Sequence, residues 1–430
     1  MAFGERGRFA PALRCAEFRA MWLAETLSVV GDQLARVALA LLVFSRTNSA
    51  LLTALTYALT FAPAVIGGFL LSGLADRFPR RTVIVVTDVV RGCLALSMVI
   101  PGLPLPALWC LVGALTLAGA PFKAAQLSLL PDVLPDGAYQ AGLGLRQVST
   151  QVAQVVGFGA GGILVTTVGA VGVLAMNSGT FLVSALVVLL GVRARPAASR
   201  SRSAVREPVS EDAGRRVDSR LVGPVLLISL VGLLVVPEGI AAPYAGVLGA
   251  GSFAVGWLMA ADPVGSVIGG WWAGRTSSVV SPRAVAFPAI AAGLPLLASA
   301  AVPWLVGVAV LWAVSGVLST MYLIRLQAVV AEIVPDARRG TVMGRLSTCL
   351  YTSQGVAIVG AGLAADRVGP VITVAASGAT ASVLAAGAMI VWKGARPRQV
   401  RTAEDEPASG VRLTSPVLVT HCDPLPGDRR

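Results

Sequence analysis

The sequence has few charged residues for its length. Aspartate, glutamate, lysine and arginine make up 13% of the 430 residues, whereas a soluble globular chain carries about 25%. Hydrophobic residues make up 55%, and the mean hydropathy is +0.78. This composition argues against an ordinary soluble enzyme and predicts a membrane protein with many spans.

Histidine and paired cysteines are also scarce, which argues against several kinds of site. His421, in the polar C-terminal segment, is the single histidine, so we expect neither a histidine proton relay nor a histidine-bound metal. The five cysteines form no Cys-x-x-Cys motif and no disulfide framework. The chain lacks a nucleotide-binding glycine loop and a nucleophile–base set. We therefore expect no enzymatic activity, no cofactor and no metal, and an ion gradient instead of ATP as the energy source.

Lysine is rare as well, because only two of the 34 basic residues are lysines. The net charge of +12 could suggest nucleic-acid binding. The arginines, however, lie between the apolar runs and at the chain ends, not on one folded face. Basic loops beside an anionic membrane leaflet explain the charge more simply. We expect no nucleic-acid partner.

Twelve apolar runs have the length of membrane spans. They predict an all-α polytopic membrane protein, with an N-terminal six-helix bundle at 1–192 and a C-terminal six-helix bundle at 221–393. A cytoplasmic linker at 193–220 and a disordered cytoplasmic tail at 394–430 complete the chain. The first run lacks a cleavage site and is predicted to be an uncleaved span. The runs lie near 18–45, 50–75, 82–101, 106–130, 140–166, 170–192, 221–246, 252–274, 284–301, 303–333, 340–365 and 370–393.

An internal repeat relates the two bundles. Leu134-Pro135-Asp136 matches Val334-Pro335-Asp336, 200 positions later, and the same offset pairs Gly162 with Gly362 and Gly169 with Gly369. Matches spread over several helices indicate two pseudo-symmetric six-helix halves, whose interface would hold a substrate path.

The arginines also predict orientation. With both termini in the cytoplasm, the outer loops hold only Arg46 and Arg367, and the other loop arginines lie inside. We therefore expect a multi-pass protein of the cytoplasmic membrane with both termini cytoplasmic.

The loop at 72–81, Ser-Gly-Leu-Ala-Asp-Arg-Phe-Pro-Arg-Arg, resembles the signature loop of the major facilitator superfamily. Together with the twelve spans and the repeat, this resemblance covers nearly the whole chain. Ser72 and Pro79 replace the two glycines of the family pattern. The resemblance implies a latch of charge pairs between the halves, and the alternative is that these charges only set topology. The latch candidates are Asp76, Arg77, Arg80, Arg81, Asp88 and Arg91.

The fifth predicted span carries a glycine-rich segment at 157–162. It resembles the Gly-Pro-x-x-Gly-Gly motif of drug/proton antiporters, with Phe158 in place of the proline. Small residues at this spacing also serve ordinary helix packing, so that alternative stays open. The motif residues are Gly157, Gly161 and Gly162.

The first span carries Glu25, Asp32 and Arg36. Charged residues inside a membrane mark ion or substrate pathways by default, and a carboxylate in apolar surroundings favours its neutral form, which suits a proton carrier. The three residues are thus candidates for proton coupling or substrate binding. Asp32 and Arg36 are four residues apart, so a structural ion pair is the alternative.

The other candidates lie on later spans. Glu238 lies where Pro237, Gly239 and Pro243 interrupt the seventh span, either as a coupling or substrate residue or as a gate. Asp262 lies beside Pro263 in the eighth. Asp88 and Arg91 are three residues apart and could also neutralise each other. Cavity candidates, which could equally join helices, are Arg146, Gln147, Gln151 and Gln154.

The segments Phe18-Arg19-x-x-Trp22, Gly31-Asp32 and Asp88-x-x-Arg91 resemble the branch of the superfamily typified by macrolide-efflux and enterobactin exporters. The resemblance implies proton-driven export of a hydrophobic or amphiphilic small molecule, such as a drug, an antibiotic or a siderophore-like metabolite, by a monomer that works by alternating access. Two alternatives stay open: a sugar-like nutrient importer of the same fold, and a non-transporting membrane sensor or partner protein.

Overall fold

The computed structural model describes residues 12–71, 74–134, 138–195, 219–275, 282–334 and 336–392. A few helical side chains within these ranges, including that of Asp76, are not described. The predicted tail, most of the predicted linker and the Ser72-Gly73 turn of the signature loop also lie outside the described residues. Within these ranges every regular element is a helix.

Residues 16–191 form seven helices, which we call the N-terminal half. The first helix ends at Thr47; the next residue, Asn48, adopts the left-handed conformation (φ 49°, ψ 22°) and donates its backbone N–H to Phe44 O. Ser49 then caps the second helix by accepting from Leu52 N. The helices are α1 Ala16–Thr47, α2 Ala50–Ala58, α3 Ala62–Leu71, α4 Leu74–Arg77, α5 Arg80–Ser97, α6 Leu105–Val133 and α7 Tyr139–Gly191.

Residues 219–392 form the C-terminal half. Its first predicted span is broken into four short helices, and Pro237 and Pro243, which lack the N–H that a continuous helix needs, lie just after the second and third breaks. The predicted interruption is therefore confirmed. The helices are α8 Ser219–Ser229, α9 Val231–Leu234, α10 Val236–Gly239, α11 Ala241–Val247, α12 Ser252–Arg275, α13 Pro282–Ala291, α14 Leu294–Ala298, α15 Leu305–Ile333, α16 Asp336–Val368 and α17 Pro370–Trp392, with a 3₁₀ turn at Ser299–Ala301.

Nine helices among the described residues are long and apolar enough to cross a membrane. One of them, α7, is divided at Gly169, whose backbone is non-helical (φ 75°, ψ 165°), a conformation open to glycine; its two segments correspond to the runs predicted at 140–166 and 170–192. The run at 50–75 is divided among α2, α3 and α4, and α5 carries four charges. Each of the twelve predicted spans thus overlaps helical structure, although its boundaries and continuity differ.

The repeat has counterparts in the backbone. Helices α6 and α15 both end in extended residues 200 positions apart, Leu134 (φ −91°, ψ 134°) and Val334 (φ −91°, ψ 125°). Gly169 and Gly369, at the same offset, both have positive φ angles of 75° and 88°. These matched turns support two related halves.

Buried apolar residues show where the halves meet. Two clusters consist of N-terminal residues alone, whereas a third combines C-terminal residues with residues of α1, α2 and α7, among them Val37, Tyr57 and Phe158. We call the end of the bundle that holds Asn48 the Asn48 end; Arg46 there donates to Leu103 O at 3.1 Å, so the next loop lies at the same end. The opposite end is the Pro79 end.

Candidate functional site

Arg91 of α5 lies at the centre of a charged cluster inside the N-terminal half. Its Nη2 donates to Asp32 Oδ2 of α1 at 2.8 Å, and its Nη1 contacts Asp88 Oδ1 at 3.4 Å. The guanidinium also stacks over the ring of Phe181, 4.1 Å from the centroid. The Asp88–Arg91 contact, which was predicted as an alternative, is therefore present. Arg91 also pairs with Asp32.

The Asp32–Arg36 pair that the spacing allowed is not formed. Arg36 instead lies over Phe61 and Tyr57, 5.1 and 5.8 Å from the ring centroids. The Arg36 guanidinium therefore makes cation–π contacts, and Asp32 pairs with Arg91 instead.

Asp88 is the fully buried carboxylate of this cluster. Its side chain has no exposed surface, and its Oδ2 accepts from Ser184 Oγ of α7 at 2.5 Å. The network joins α1, α5 and α7 within the membrane.

Glu25 and Arg146 form a second ion pair between α1 and α7. Arg146 Nε donates to Oε2 at 2.5 Å and Nη2 to Oε1 at 2.7 Å, a two-point contact. Arg146 Nη2 also donates to Gln126 Oε1 of α6 at 3.1 Å. The described bonds of Arg146 thus lead to α1 and α6. The other predicted cavity residues make no described hydrogen bond to this pair, with Gln147 exposed and Gln151 and Gln154 half-buried.

Glu238 makes a hydrogen bond between the two halves. Tyr57 Oη of α2 donates to Glu238 Oε2 of α10, and both side chains are buried. Asp262 of α12 is close enough to repel the Glu238 carboxylate, and Arg36 is close enough to attract it. Within the described ranges, no salt bridge within 4.0 Å involves Glu238 or Asp262.

Asp262 packs against α15 through a glycine. Its Oδ1 lies 2.9 Å from where a side chain on Gly316 would begin. Ser266, one turn later in α12, accepts a hydrogen bond from Thr320 Oγ1 of α15 at 2.8 Å.

Sequence reasoning missed Lys123 and Tyr57. Lys123 lies in α6 with an exposed side chain, where Asp32 and Glu25 attract it and Arg91 and Arg36 repel it. The signal that selected Asp32, a charge inside an apolar run, could have identified it. No comparable signal marked Tyr57.

The described residues of the signature loop hold α5 in place. Arg80 donates to Ser128 O at 2.7 Å and forms a salt bridge with Asp132 of α6, and Arg81 donates to Leu189 O of α7. These partners all belong to the N-terminal half, and Arg77 is exposed. A latch between the halves through Asp76 and Arg77 stays a prediction.

The glycines of α7 are sites of close helix packing. A side chain at Gly157 would begin 2.7 Å from Gln33 Cβ, and one at Gly161 would begin 3.1 Å from Val37, both on α1. At Gly162 it would begin 2.7 Å from Phe253 O, in the C-terminal half. Gly162 therefore lies at the contact between the halves.

A single carboxylate joins the halves at the Asn48 end. Asp366 Oδ1 accepts from Ala50 N at 2.6 Å, while its Oδ2 accepts from Leu51 N at 3.1 Å and Ser49 Oγ at 2.8 Å. Asp366 thus caps the N-terminus of α2, where the helix dipole favours negative charge. We call this contact the Asp366 latch. Gly362, one turn earlier, packs against Ala54.

Comparisons with known proteins agree with this architecture. A family model described as Major Facilitator Superfamily matches residues 21–240. The multidrug efflux pump Tap of Mycolicibacterium fortuitum is 25% identical over 362 residues, which cover 79% of this chain and 87% of that protein.

Solved structures share the fold at low identity. A bacterial homolog of the human lysosomal transporter Spinster, in an inward-facing and occupied conformation, aligns with a TM-score of 0.69 and 14% identity over 87% of this chain and 95% of that one. The nucleoside transporter NupG aligns with a TM-score of 0.71 and 14% identity over 87% and 100%. A POT family transporter in complex with a thioalcohol conjugated peptide gives 0.69 and 12% over 88% and 96%.

Proposed function

The chain belongs to the major facilitator superfamily, and from that premise we propose that it exports a hydrophobic or amphiphilic small molecule by proton antiport. The superfamily consists of membrane transporters, not enzymes. Export is supported by the similarity to Tap, a multidrug efflux pump. The cargo would be a drug, an antibiotic or a siderophore-like metabolite.

The observation that carries this proposal is the Tyr57–Glu238 hydrogen bond. It places a buried carboxylate at the junction of the halves, with Asp262 nearby. A buried carboxylate without a cation in direct contact is stable mainly as the neutral acid. Binding and release of a proton at Glu238 would therefore change the contact between the halves.

Arg36 makes the cycle chemically possible. It lies over the Tyr57 ring and close enough to Glu238 to attract the ionised carboxylate. When Glu238 releases its proton, Tyr57 still donates to the carboxylate, and Arg36 supplies the positive charge that attracts it. Each proton that moves inward yields about 2.3 kcal/mol per 100 mV. At 100 mV, that energy sustains a ratio of about 50-fold between the concentrations of a neutral cargo outside and inside.

We further propose that both termini are cytoplasmic, which makes the Asn48 end the outer end. The arginine-poor outer loops support this orientation. The Asp366 latch would then close the cavity toward the outside. A membrane-impermeant maleimide should label a single cysteine at Asn48 in intact cells, and labelling only after permeabilisation would contradict the orientation.

Transport can be tested in proteoliposomes that contain the full chain and a pH-sensitive dye. A panel of hydrophobic and amphiphilic antibiotics is applied with and without a pH gradient. We expect at least one compound to move against its gradient and to drive proton movement in the opposite direction. Sugar uptake without antibiotic movement would instead identify an importer, and the absence of any flux would favour a sensor.

A further inference from the structure

An ammonium group without a carboxylate partner lies inside the membrane-spanning part of the N-terminal half. Lys123 belongs to the apolar helix α6 and has an exposed side chain. In the part of the chain that the structure describes, no salt bridge within 4.0 Å involves it. A lone charge at this depth costs roughly 2.5–3.5 kcal/mol, and such residues face a bundle interior or a water-filled cavity.

Lys123 faces the space between helices and not the lipid. Gln126, one turn later on the same face of α6, bonds to Arg146 of α7. Phe122, the preceding residue, is buried and lies under Arg91 of α5. Asp32 and Glu25 of α1 also attract Lys123.

The charges around Lys123 leave a surplus of positive charge. Asp32 already pairs with Arg91, and Glu25 already pairs with Arg146. Arg91 also contacts Asp88, but Arg36 adds a further cation nearby, so that with Lys123 four cations face three carboxylates. In a site of low dielectric, such a surplus favours an incoming anion.

Gln126 supplies a second unused donor. Its Oε1 accepts from Arg146, which fixes the orientation of the amide, and its Nε2 is buried without an acceptor in the described structure. Only 1% of the residue is exposed. A buried donor without a partner is costly, so a ligand that offers an acceptor would satisfy it.

We propose that Lys123 and Gln126 form a subsite for the acidic group, a carboxylate, phosphate or sulfate, of an amphiphilic substrate. The inference rests on the proposed transport function and narrows its cargo. The Lys123 ammonium would neutralise the acid, and Gln126 Nε2 would donate to one of its oxygens. Arg146 would hold the amide in the orientation that leaves this donor without a protein acceptor.

The first test uses Lys123 as a chemical reporter. In a Lys393→Arg background, Lys123 is the single side-chain amine, and peptide mass spectrometry separates it from the α-amino group. The full chain in phosphatidylcholine nanodiscs is acetylated in the presence of 2-naphthoic acid or its methyl ester. We expect Lys123 to react, and the acid to protect at concentrations about tenfold lower than the ester. An unreactive Lys123, or equal or absent protection by the two compounds, would overturn the proposal.

The second test changes the residue. In thermal unfolding, 2-naphthoic acid should raise the midpoint more than its ester in the wild type and in Lys123→Arg, but equally in Lys123→Met. Arg19→Met, which removes an exposed charge from α1, is the matched control and should keep the acid preference. If Lys123→Met still prefers 2-naphthoic acid over its ester, the assignment of Lys123 to the anion subsite is wrong.

Two further outcomes separate the possible explanations. If phosphatidylglycerol in the nanodisc protects Lys123 without added acid, the site recognises a lipid headgroup and the substrate assignment fails. Neither measurement requires a gradient or flux. A failed transport assay with an intact acid preference would therefore contradict the proposed function and leave the anion subsite standing.

Discussion

At the residue scale, Asp32 is held by a side chain from a distant part of the sequence. Its 2.8 Å contact with Arg91 links α1 to α5, and Arg91 also contacts the buried Asp88. Removal of the charge from Asp32 leaves Arg91 with one carboxylate, that of Asp88, at the longer distance of 3.4 Å. A charge in a cavity wall that loses its partner is destabilised or draws in another anion.

We therefore expect Asp32→Asn to abolish efflux while the protein stays in the membrane. The measurement is antibiotic efflux from cells, normalised to the amount of protein in the membrane fraction. Ser184→Ala, which removes a hydrogen bond to Asp88 without removing a charge, is the control and should cost about 1 kcal/mol of stability. Unchanged efflux in Asp32→Asn would remove Asp32 from the coupling mechanism.

Glu238 makes a sharper prediction, because its described hydrogen-bond partner is a hydroxyl group. Glu238→Gln keeps the shape and the contact with Tyr57 but cannot release a proton. Substrate-driven proton movement should be lost in proteoliposomes, whereas exchange of substrate for substrate should continue. Tyr57→Phe, which keeps the ring beneath Arg36, should retain coupling with an altered pH profile. Normal proton coupling in Glu238→Gln would exclude Glu238 as the carrier.

The sequence could predict which charged residues lie in the membrane, but not their partners. The spacing of Asp32 and Arg36 allowed a pair, yet Arg91, 59 residues away, occupies that position. Tyr57 lies 181 residues from Glu238 in the sequence. Because its side chain is uncharged, a hydropathy pattern does not mark it as a partner for a carboxylate. Lys123 could have been found, because the rule that selected the carboxylates applies equally to an ammonium group.

At the element scale, α7 uses its glycines to pack against two different neighbours. Gly157 and Gly161 meet α1, while Gly162 meets the backbone of α12. The antiporter-like motif and the packing alternative thus depend on the same feature: glycines that lack a side chain let α7 approach its neighbours closely. In a membrane, such close approach replaces the hydrophobic effect as the source of helix association.

Gly162→Ala should impair transport, because the added methyl group would begin 2.7 Å from Phe253 O, and a backbone atom cannot rotate away. Gly159→Ala is the matched control on the same helix, since it has nothing within 4 Å. Efflux and thermal stability should be measured for both variants. Equal behaviour of the two would argue against a tight contact between the halves at Gly162.

Hydropathy predicted the elements better than their continuity. The break in the seventh span followed from Pro237, Gly239 and Pro243, whose backbone chemistry is visible in the sequence. The two runs on either side of the non-helical Gly169 were also predicted, whereas the division of the run at 50–75 among α2, α3 and α4 was not. Local composition determines helix formation, whereas packing decides whether a helix bends or stops.

At the scale of the whole molecule, the Asp366 latch ties α16 of one half to α2 of the other. Three donors converge on this carboxylate, and it is exposed. The repeat predicted two halves but not this contact, since the equivalent position in the N-terminal half is Thr166.

Asp366→Ala should favour conformations that are open at the Asn48 end. Loss of a helix cap costs about 1 kcal/mol, which would shift the ratio of the two states about fivefold. Spin labels on Asn48 and Val247, one in each half, should gain a longer-distance population in double electron–electron resonance. Arg367→Gln changes the neighbouring charge and should leave the distances unchanged. Identical distances in wild type and Asp366→Ala would refute the latch.

Among the described residues, the contacts between the halves at the Asn48 end involve glycines, backbone groups and the carboxylate of Asp366. The groups that would meet cargo, Lys123, Arg36 and Glu238, lie elsewhere on the helices. Substitutions in the cavity could therefore change what is carried while the closure stays intact. During divergence, such a chain could acquire a new cargo by small steps, without first rebuilding the machinery that moves it.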